Sequence, residues 1–226
     1  MEFSLCFQYY DSGNLERQQE IDYVLMENLK LPFNNYFIFI DPDLEFPSND
    51  CRITYISLEG RLKFSDFLEL VNSIPDQFFV LINSDIRLDY SIFKAKSYLQ
   101  VNMMFALTRY EGNGELAYAD NPRISQDTWM IISQNIPETL IEQTNIKLGI
   151  PGCENRFAAI FAAYGFEVWN PCLDVKTCHY HQSAYRTTKS YDRYWGLYLE
   201  PSPCMLEDTT FGVSNKNLLR FFKITG

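Results

Sequence analysis

Short, fully apolar runs closed by polar clusters alternate along the chain with longer stretches that carry apolar side chains every third or fourth position. Ser4 to Tyr10 reads as a strand running into the turn-forming Asp11, Ser12, Gly13 and Asn14. From Leu15 to Leu31, the residues Ile21, Val24, Leu25, Leu29 and Leu31 share one helical face with Glu16, Arg17 and Glu20 outside it, and Pro32 stops the helix. Tyr36 to Ile40 is a second buried-type strand ended by Asp41, Pro42 and Asp43. Arg52 to Ser57 predicts a third strand, Phe64 to Ser73 a helix, and Phe78 to Ile82 a fourth strand that stops at Asn83, Ser84 and Asp85. This order predicts one α/β domain with a mostly parallel central sheet flanked by helices.

Beyond Asp85 the pattern loosens. Tyr90 to Tyr98 is expected to be helical, Met103 to Tyr110 a strand, and Glu111 to Ser125, rich in Gly, Asn, Asp and Pro, a loop over the sheet edge. Asp127 to Ile132 resumes as a strand. Glu154 to Tyr164 is an alanine-rich helix closed by Gly165, and Phe166 to Trp169 and Val175 to His181 are strand-like. Residues 1–195 are expected to form the main domain and 196–226 a carboxy-terminal extension packed on it, with a helical pattern at Asn217 to Phe222.

The 226 residues, 46% hydrophobic and 16% aromatic, suffice for one sizeable core. A net charge of −10 argues against nucleic-acid binding by charge, so a phosphate ligand would need a local metal ion or a few placed arginines. Cys6, Cys51, Cys153, Cys172, Cys178 and Cys204 are dispersed without a C-x-x-C pair and read as reduced thiols. The amino terminus lacks a basic segment before its short apolar run, and no apolar stretch reaches the roughly 18 residues of a membrane span. A cytoplasmic protein is expected, the host cytoplasm if the source is viral.

Chemistry concentrates at strand ends, where open α/β sheets bind ligands. Asp85 follows the fourth strand at once and is a hard oxygen ligand for a divalent cation, with Asn83 a weaker neutral donor. The chain has two histidines, His179 and His181, two positions apart. They are expected to point to opposite faces of their strand, so that one completes a metal site and the other is packed or exposed. Glu154, in the first turn of a helix, and Asp127, at a loop-to-strand junction, are alternative general bases. Arg17 and Arg61 are candidates for phosphate contact. Tyr9, Tyr10 and Asp41, at the ends of the first two strands, are candidates for stacking on or hydrogen-bonding a nucleobase, with at least one of the tyrosines expected in the core.

The stretch Val80 to Asp89 resembles the strand and D-x-D-type motif of GT-A glycosyltransferases, and Gly152 to Pro171 resembles their acidic-motif helix. Phe7 to Asp11, Glu16 to Gln18, Asn83 to Ile86, Ser125 to Trp129, Pro151 to Arg156 and Lys176 to His181 together resemble the small glycosyltransferase domains of large algal viruses and related bacterial sequences. The resemblance covers about residues 3 to 186. It implies a single GT-A-like (Rossmann-like) domain. It also implies inverting transfer of a sugar from a nucleoside diphosphate sugar, UDP favoured, to a hydroxyl of a glycan or glycoprotein acceptor. Asp85 and a histidine would hold Mn²⁺ or Mg²⁺, Ser84 and its neighbours would meet the nucleotide, and Glu154 or Asp127 would be the base. In this chain Asn83 stands at the first D-x-D position, and Asn155 follows Glu154 where many such proteins have Asp. The competing expectations are a nucleotide-sugar hydrolase, a nucleotidyltransferase, and a non-catalytic carbohydrate- or protein-binding module on a degenerate scaffold. The non-basic Asp11 to Glu16 turn speaks against the nucleotidyltransferase.

Overall fold

The computed structural model describes residues 1–183, 185, 193–210 and 217–222. A seven-stranded sheet organises them. Its strands are β1 (Glu2–Tyr9), β2 (Asn35–Ile40), β3 (Ile53–Ser57), β4 (Gln77–Ile82), β6 (Met103–Thr108), β7 (Gln126–Ile132) and β8 (Glu167–Trp169). Two further ribbons pair β5 (Ile86–Leu88) with β9 (Thr177–His179) and β10 (Gly196–Glu200) with β11 (Leu218–Phe222). The helices are α1 (Leu15–Asn28), α2 (Phe64–Ser73), α3 (Glu138–Gln143) and α4 (Cys153–Ala163).

The spatial order in the sheet is β3-β2-β1-β4-β7-β6-β8, and β7 alone runs against its neighbours. The alternation of side chains explains the layering. In β1, Phe3, Leu5, Phe7 and Tyr9 enter one core while Cys6 enters the other, and in β4 Phe78, Val80 and Ile82 oppose Phe79 and Leu81. The first core is covered by α1 through Ile21 and Leu25. The second is covered by α2 through Phe64, Phe67 and Leu68 and by α4 through Phe157 and Phe161, with Phe64 stacked on Phe157 at 3.9 Å between centroids. Strands buried on both faces need apolar residues at every position, which is why β4 reads as a continuous apolar run.

Crossovers of this kind bring the carboxyl ends of β1, β2 and β4 to one edge. There Ser84 donates its hydroxyl to the Gln8 carbonyl, tying the turn after β4 to the end of β1. Gln8 in turn donates to the Gly60 carbonyl and accepts from the Leu62 amide, fixing the loop that carries Arg61.

One expectation is overturned. Asn217 to Phe222 is not a helix: Leu218–Phe222 is a strand paired antiparallel with β10. Its five-residue core, too short for periodicity to decide, takes the form its partner strand imposes. Tyr90–Ser97 forms a 3-10 helix. The short helix α3 had no clear apolar period to reveal it. The β10 ribbon lies on α4, with Asn155 donating to the Leu199 carbonyl and Leu199 entering the second core. All six cysteines are free, Cys51 exposed and Cys6, Cys153 and Cys172 buried. Among the described residues no helix is long and apolar enough to cross a membrane.

Candidate functional site

The turn after β4 sets the centre of the site. The Ile86 amide closes on the Asn83 carbonyl, and β5 then pairs with β9 so that Ile86 lies opposite His179. The Tyr180 amide continues this ladder to the Asp85 carbonyl at 2.8 Å. Two segments 94 residues apart in sequence are thereby joined at Asp85, whose Oδ2 lies 3.2 Å from His179 Nε2 and 3.5 Å from His181 Nδ1. One donor atom from each of Asp85, His179 and His181 falls within 4.8 Å of the others.

The two imidazoles therefore share a face, contrary to the expectation that they oppose each other. Residues two apart on an extended chain point the same way, and both rings turn to Asp85 with centroids 5.5 Å apart. Glu111, which sequence reasoning left within a loop, accepts or shares the proton of His179 Nδ1 at 3.0 Å and leaves Nε2 facing Asp85. Its only sequence signal was an acidic residue directly after a strand. On the other side, Arg17 reaches Asp85 Oδ2 at 2.6 Å. Burial acts to raise the Asp85 carboxyl, but hydrogen bonds to His179 and His181 and the charge of Arg17 hold it well below the usual carboxylate range. Burial lowers His179, and the hydrogen bond and charge of Asp85 more than offset it, so the imidazole ends above its ordinary value.

The donor set of one carboxylate oxygen and two imidazole nitrogens fits a divalent first-row cation. Mn²⁺ accepts both ligand types, whereas Mg²⁺ favours oxygen alone. The guanidinium of Arg17 on Asp85 is a second positive group at the same point, suited to a ligand that brings more negative charge than one carboxylate.

Three adjoining cavities cross the sheet edge. The central one, of about 270 Å³, contains Arg17, Asn83, Ser84, Asp85, His179 and His181. An outer one of about 430 Å³ shares Gln8, Tyr10 and Arg61 with it and adds Asp41 and Leu44. On the opposite side a third, also about 430 Å³, shares Asn83, Arg109, Tyr118, Asp127 and Gly149 and adds Glu154. Asp85 and both histidines thus line the central cavity, and Glu154 lines the neighbouring one that shares five residues with it.

Glu154 sits in the first turn of α4, whose preceding Gly152 has φ +83°. Burial, and secondarily the charge of Asp127, push its carboxyl up to about 7. Asp127 is placed differently. One carboxylate oxygen accepts from the Asn83 amide, and the other accepts from Arg109 at 2.8 Å and Ser125 at 3.3 Å. Three donors therefore hold the carboxylate expected as the alternative base to Glu154. Arg109, absent from the sequence-level candidates, also binds Glu111 at 3.0 Å and so links the two acidic groups.

The remaining candidates divide. Tyr10, Arg61 and Asp41 line the outer cavity. Ser84 lines the central cavity with its hydroxyl bound to main chain. Tyr9 is a correction: its ring packs in the first core against Phe46, its hydroxyl donates to Asp22 at 2.9 Å, and it lines none of the three cavities. At an alternating strand end, Tyr10 takes the cleft side and Tyr9 the α1 side.

No protein-family model and no curated protein matches the chain. Among solved structures it is similar to S. aureus TarS, residues 1–349, in complex with UDP-GlcNAc: TM-score 0.53, 11% identity, 84% of this chain and 62% of that one. A longer crystal structure of S. aureus TarS gives TM-score 0.51 and 12% identity over 80% of this chain and 37% of that one. The chain therefore spans less than two thirds of the length of either. At such identity the likeness is one of architecture: this chain is a single GT-A-like α/β domain with a mostly parallel central sheet flanked by helices.

Proposed function

We propose that the protein is an inverting glycosyltransferase that moves a sugar from a nucleoside diphosphate sugar, a UDP-sugar favoured, to a hydroxyl of a glycan acceptor. The observation that carries this reading is the convergence of Asp85, His179 and His181 on one cleft with Glu154 in the adjoining cavity. The likeness of fold to a protein crystallised with UDP-GlcNAc supports the donor class.

In this reading the outer cavity takes the nucleoside, with Tyr10 offering a ring face and Asp41 a carboxylate acceptor. Arg17 and Arg61 face the diphosphate in the central cavity. A divalent cation, Mn²⁺ in preference to Mg²⁺, would be held by Asp85, His179 and His181 and would offset charge on the departing diphosphate. The third cavity takes the acceptor. There Glu154, titrating at about 7, is suited to remove a proton from the attacking hydroxyl near neutral pH. Asp127 serves by holding Arg109 and Asn83 rather than by accepting that proton. The Asn83–Asp127 pair lines both the central cavity and the one that holds Glu154, and in this reading the hydroxyl activated by the base would attack across it with inversion.

Thermal unfolding with UDP, GDP and their sugars, with and without Mn²⁺, tests the reading. Mn²⁺-dependent stabilisation by one nucleotide, followed by nucleotide release that needs an added glycan, is the expected result. A ligand at 100 times its Kd stabilises by about 2.7 kcal/mol, well within reach of the method. Nucleotide release without acceptor would instead mark a hydrolase, and no stabilisation by any nucleotide would mark a binding module.

A further inference from the structure

His179 and His181 are supported by different parts of the molecule. His179 is fixed by the pairing of β9 with β5 and by Glu111. His181 lies beyond that ladder, and the chain around it hangs on α1. On its amino-terminal side the Tyr180 ring packs against Tyr23 of α1 at 4.9 Å between centroids. On its carboxy-terminal side Glu20 of α1 takes over, one turn from Tyr23. Glu20 Oε1 accepts the backbone N–H groups of Gln182 at 2.7 Å and Ser183 at 2.5 Å, and Oε2 accepts the Ser183 hydroxyl at 3.1 Å.

Glu20 is 8% exposed, and a carboxylate at that depth is costly unless it is paired and hydrogen-bonded. Arg17 supplies the charge, reaching Glu20 Oε2 at 3.0 Å with one nitrogen and Asp85 Oδ2 at 2.6 Å with another. An i,i+3 ion pair alone would be an ordinary feature of a helix surface. Two consecutive backbone N–H groups converging on one carboxylate oxygen from a segment 162 and 163 residues away are not. They fix where the main chain passes, and the residue immediately before them is His181.

We propose that Glu20 is a positioning residue for the cation site: it hangs Gln182 and Ser183 on α1 and thereby sets the His181 imidazole against Asp85. This rests on the reading of Asp85, His179 and His181 as cation ligands. Glu20 itself is not one of those ligands, and its second link to the site runs through Arg17.

The test joins hydrogen exchange of the full chain at the Gln182 and Ser183 amides with calorimetric titration of Mn²⁺ alone, without nucleotide or acceptor. Glu20→Ala is expected to speed exchange at these two amides by about tenfold or more while β1 and β4 keep their protection. Glu20→Gln, which retains a carbonyl oxygen for the same N–H groups, is expected to recover most of that protection. Mn²⁺ affinity is expected to fall about 10- to 100-fold in Glu20→Ala, the usual effect of losing a group that orients a ligand. Added to His181→Ala, the same substitution should cost only the part that runs through Arg17 to Asp85, well below its cost in the wild type. Unchanged exchange at Gln182 and Ser183 in Glu20→Ala would overturn the proposal, as would Mn²⁺ losses of Glu20→Ala and His181→Ala that multiply in full. If exchange behaves as expected but the wild type takes up no Mn²⁺, the tethering of the chain beside His181 stands and the cation reading falls.

Discussion

Asn83 donates its side-chain amide to one carboxylate oxygen of Asp127, while Arg109 binds the other at 2.8 Å. The contact joins the turn after β4 to its antiparallel neighbour β7, so Asn83 is occupied in organising Asp127. A carboxylate at residue 83 would face Asp127 directly. Asn83→Asp is therefore expected to lose about 1–3 kcal/mol, the cost of replacing a partly buried hydrogen bond with like-charge repulsion. The midpoint of denaturant unfolding measures this, and Mn²⁺ affinity should not rise in the variant. A stability equal to wild type would show that Asn83 and Asp127 are not coupled.

The pH behaviour of Glu154 follows from its burial. A base titrating at about 7 must be ionised to act, so transfer should rise with pH through that value and level off above it. Glu154→Gln should lower turnover by about 10²- to 10⁴-fold without abolishing nucleotide binding. Stability moves in the opposite sense. The native carboxyl, titrating at about 7 against an ordinary 4.5, holds its proton more tightly than the unfolded one. The resulting stabilisation is complete below the unfolded value and is lost as pH rises through the folded value. The loss is on the order of 1–3 kcal/mol, and unfolding of Glu154→Gln should lack that slope.

Much of this architecture can be read from the chain because β1, β2 and β4 are buried on both faces and so carry mainly apolar runs, broken in β1 only by Ser4 and Gln8, that end at polar residues. The same rule located Asp85. It did not locate Glu111 and Arg109, since they flank a strand end and acquire meaning only when β9 is laid beside Tyr110, whose amide and carbonyl bond Thr177 and His179. The histidine pair was visible as a pair but assigned to the wrong faces, an error of strand geometry rather than of chemistry. Leu218 to Phe222 carries no period that separates helix from strand, and its pairing with β10 decides the matter.

Glu111 offers a test of the support under His179. With Nδ1 engaged by Glu111, the ring presents Nε2 to Asp85. Glu111→Ala is expected to weaken Mn²⁺ by about 10- to 100-fold, measured by calorimetry in the absence of nucleotide. An unaltered affinity would mean that the ring is held by main-chain pairing alone.

Gly152 tests how closely the β10 ribbon sits on the start of α4. Its φ is +83°, and an added Cβ would overlap the Tyr198 hydroxyl, itself bonded to the Tyr194 carbonyl. Gly152→Ala is expected to destabilise by about 1–3 kcal/mol through backbone strain and displacement of Tyr198. Thermal unfolding reads the cost, and an unchanged melting temperature would refute the close approach.

The central claim is that Asp85 and the two histidines hold a divalent cation where a nucleoside diphosphate binds, and calorimetric titration of UDP into wild type and Asp85→Ala, each with and without Mn²⁺, tests it most directly. The account predicts that Mn²⁺ tightens UDP binding to the wild type and makes no difference to Asp85→Ala. An equal Mn²⁺ enhancement in both proteins, or none in either, would contradict it.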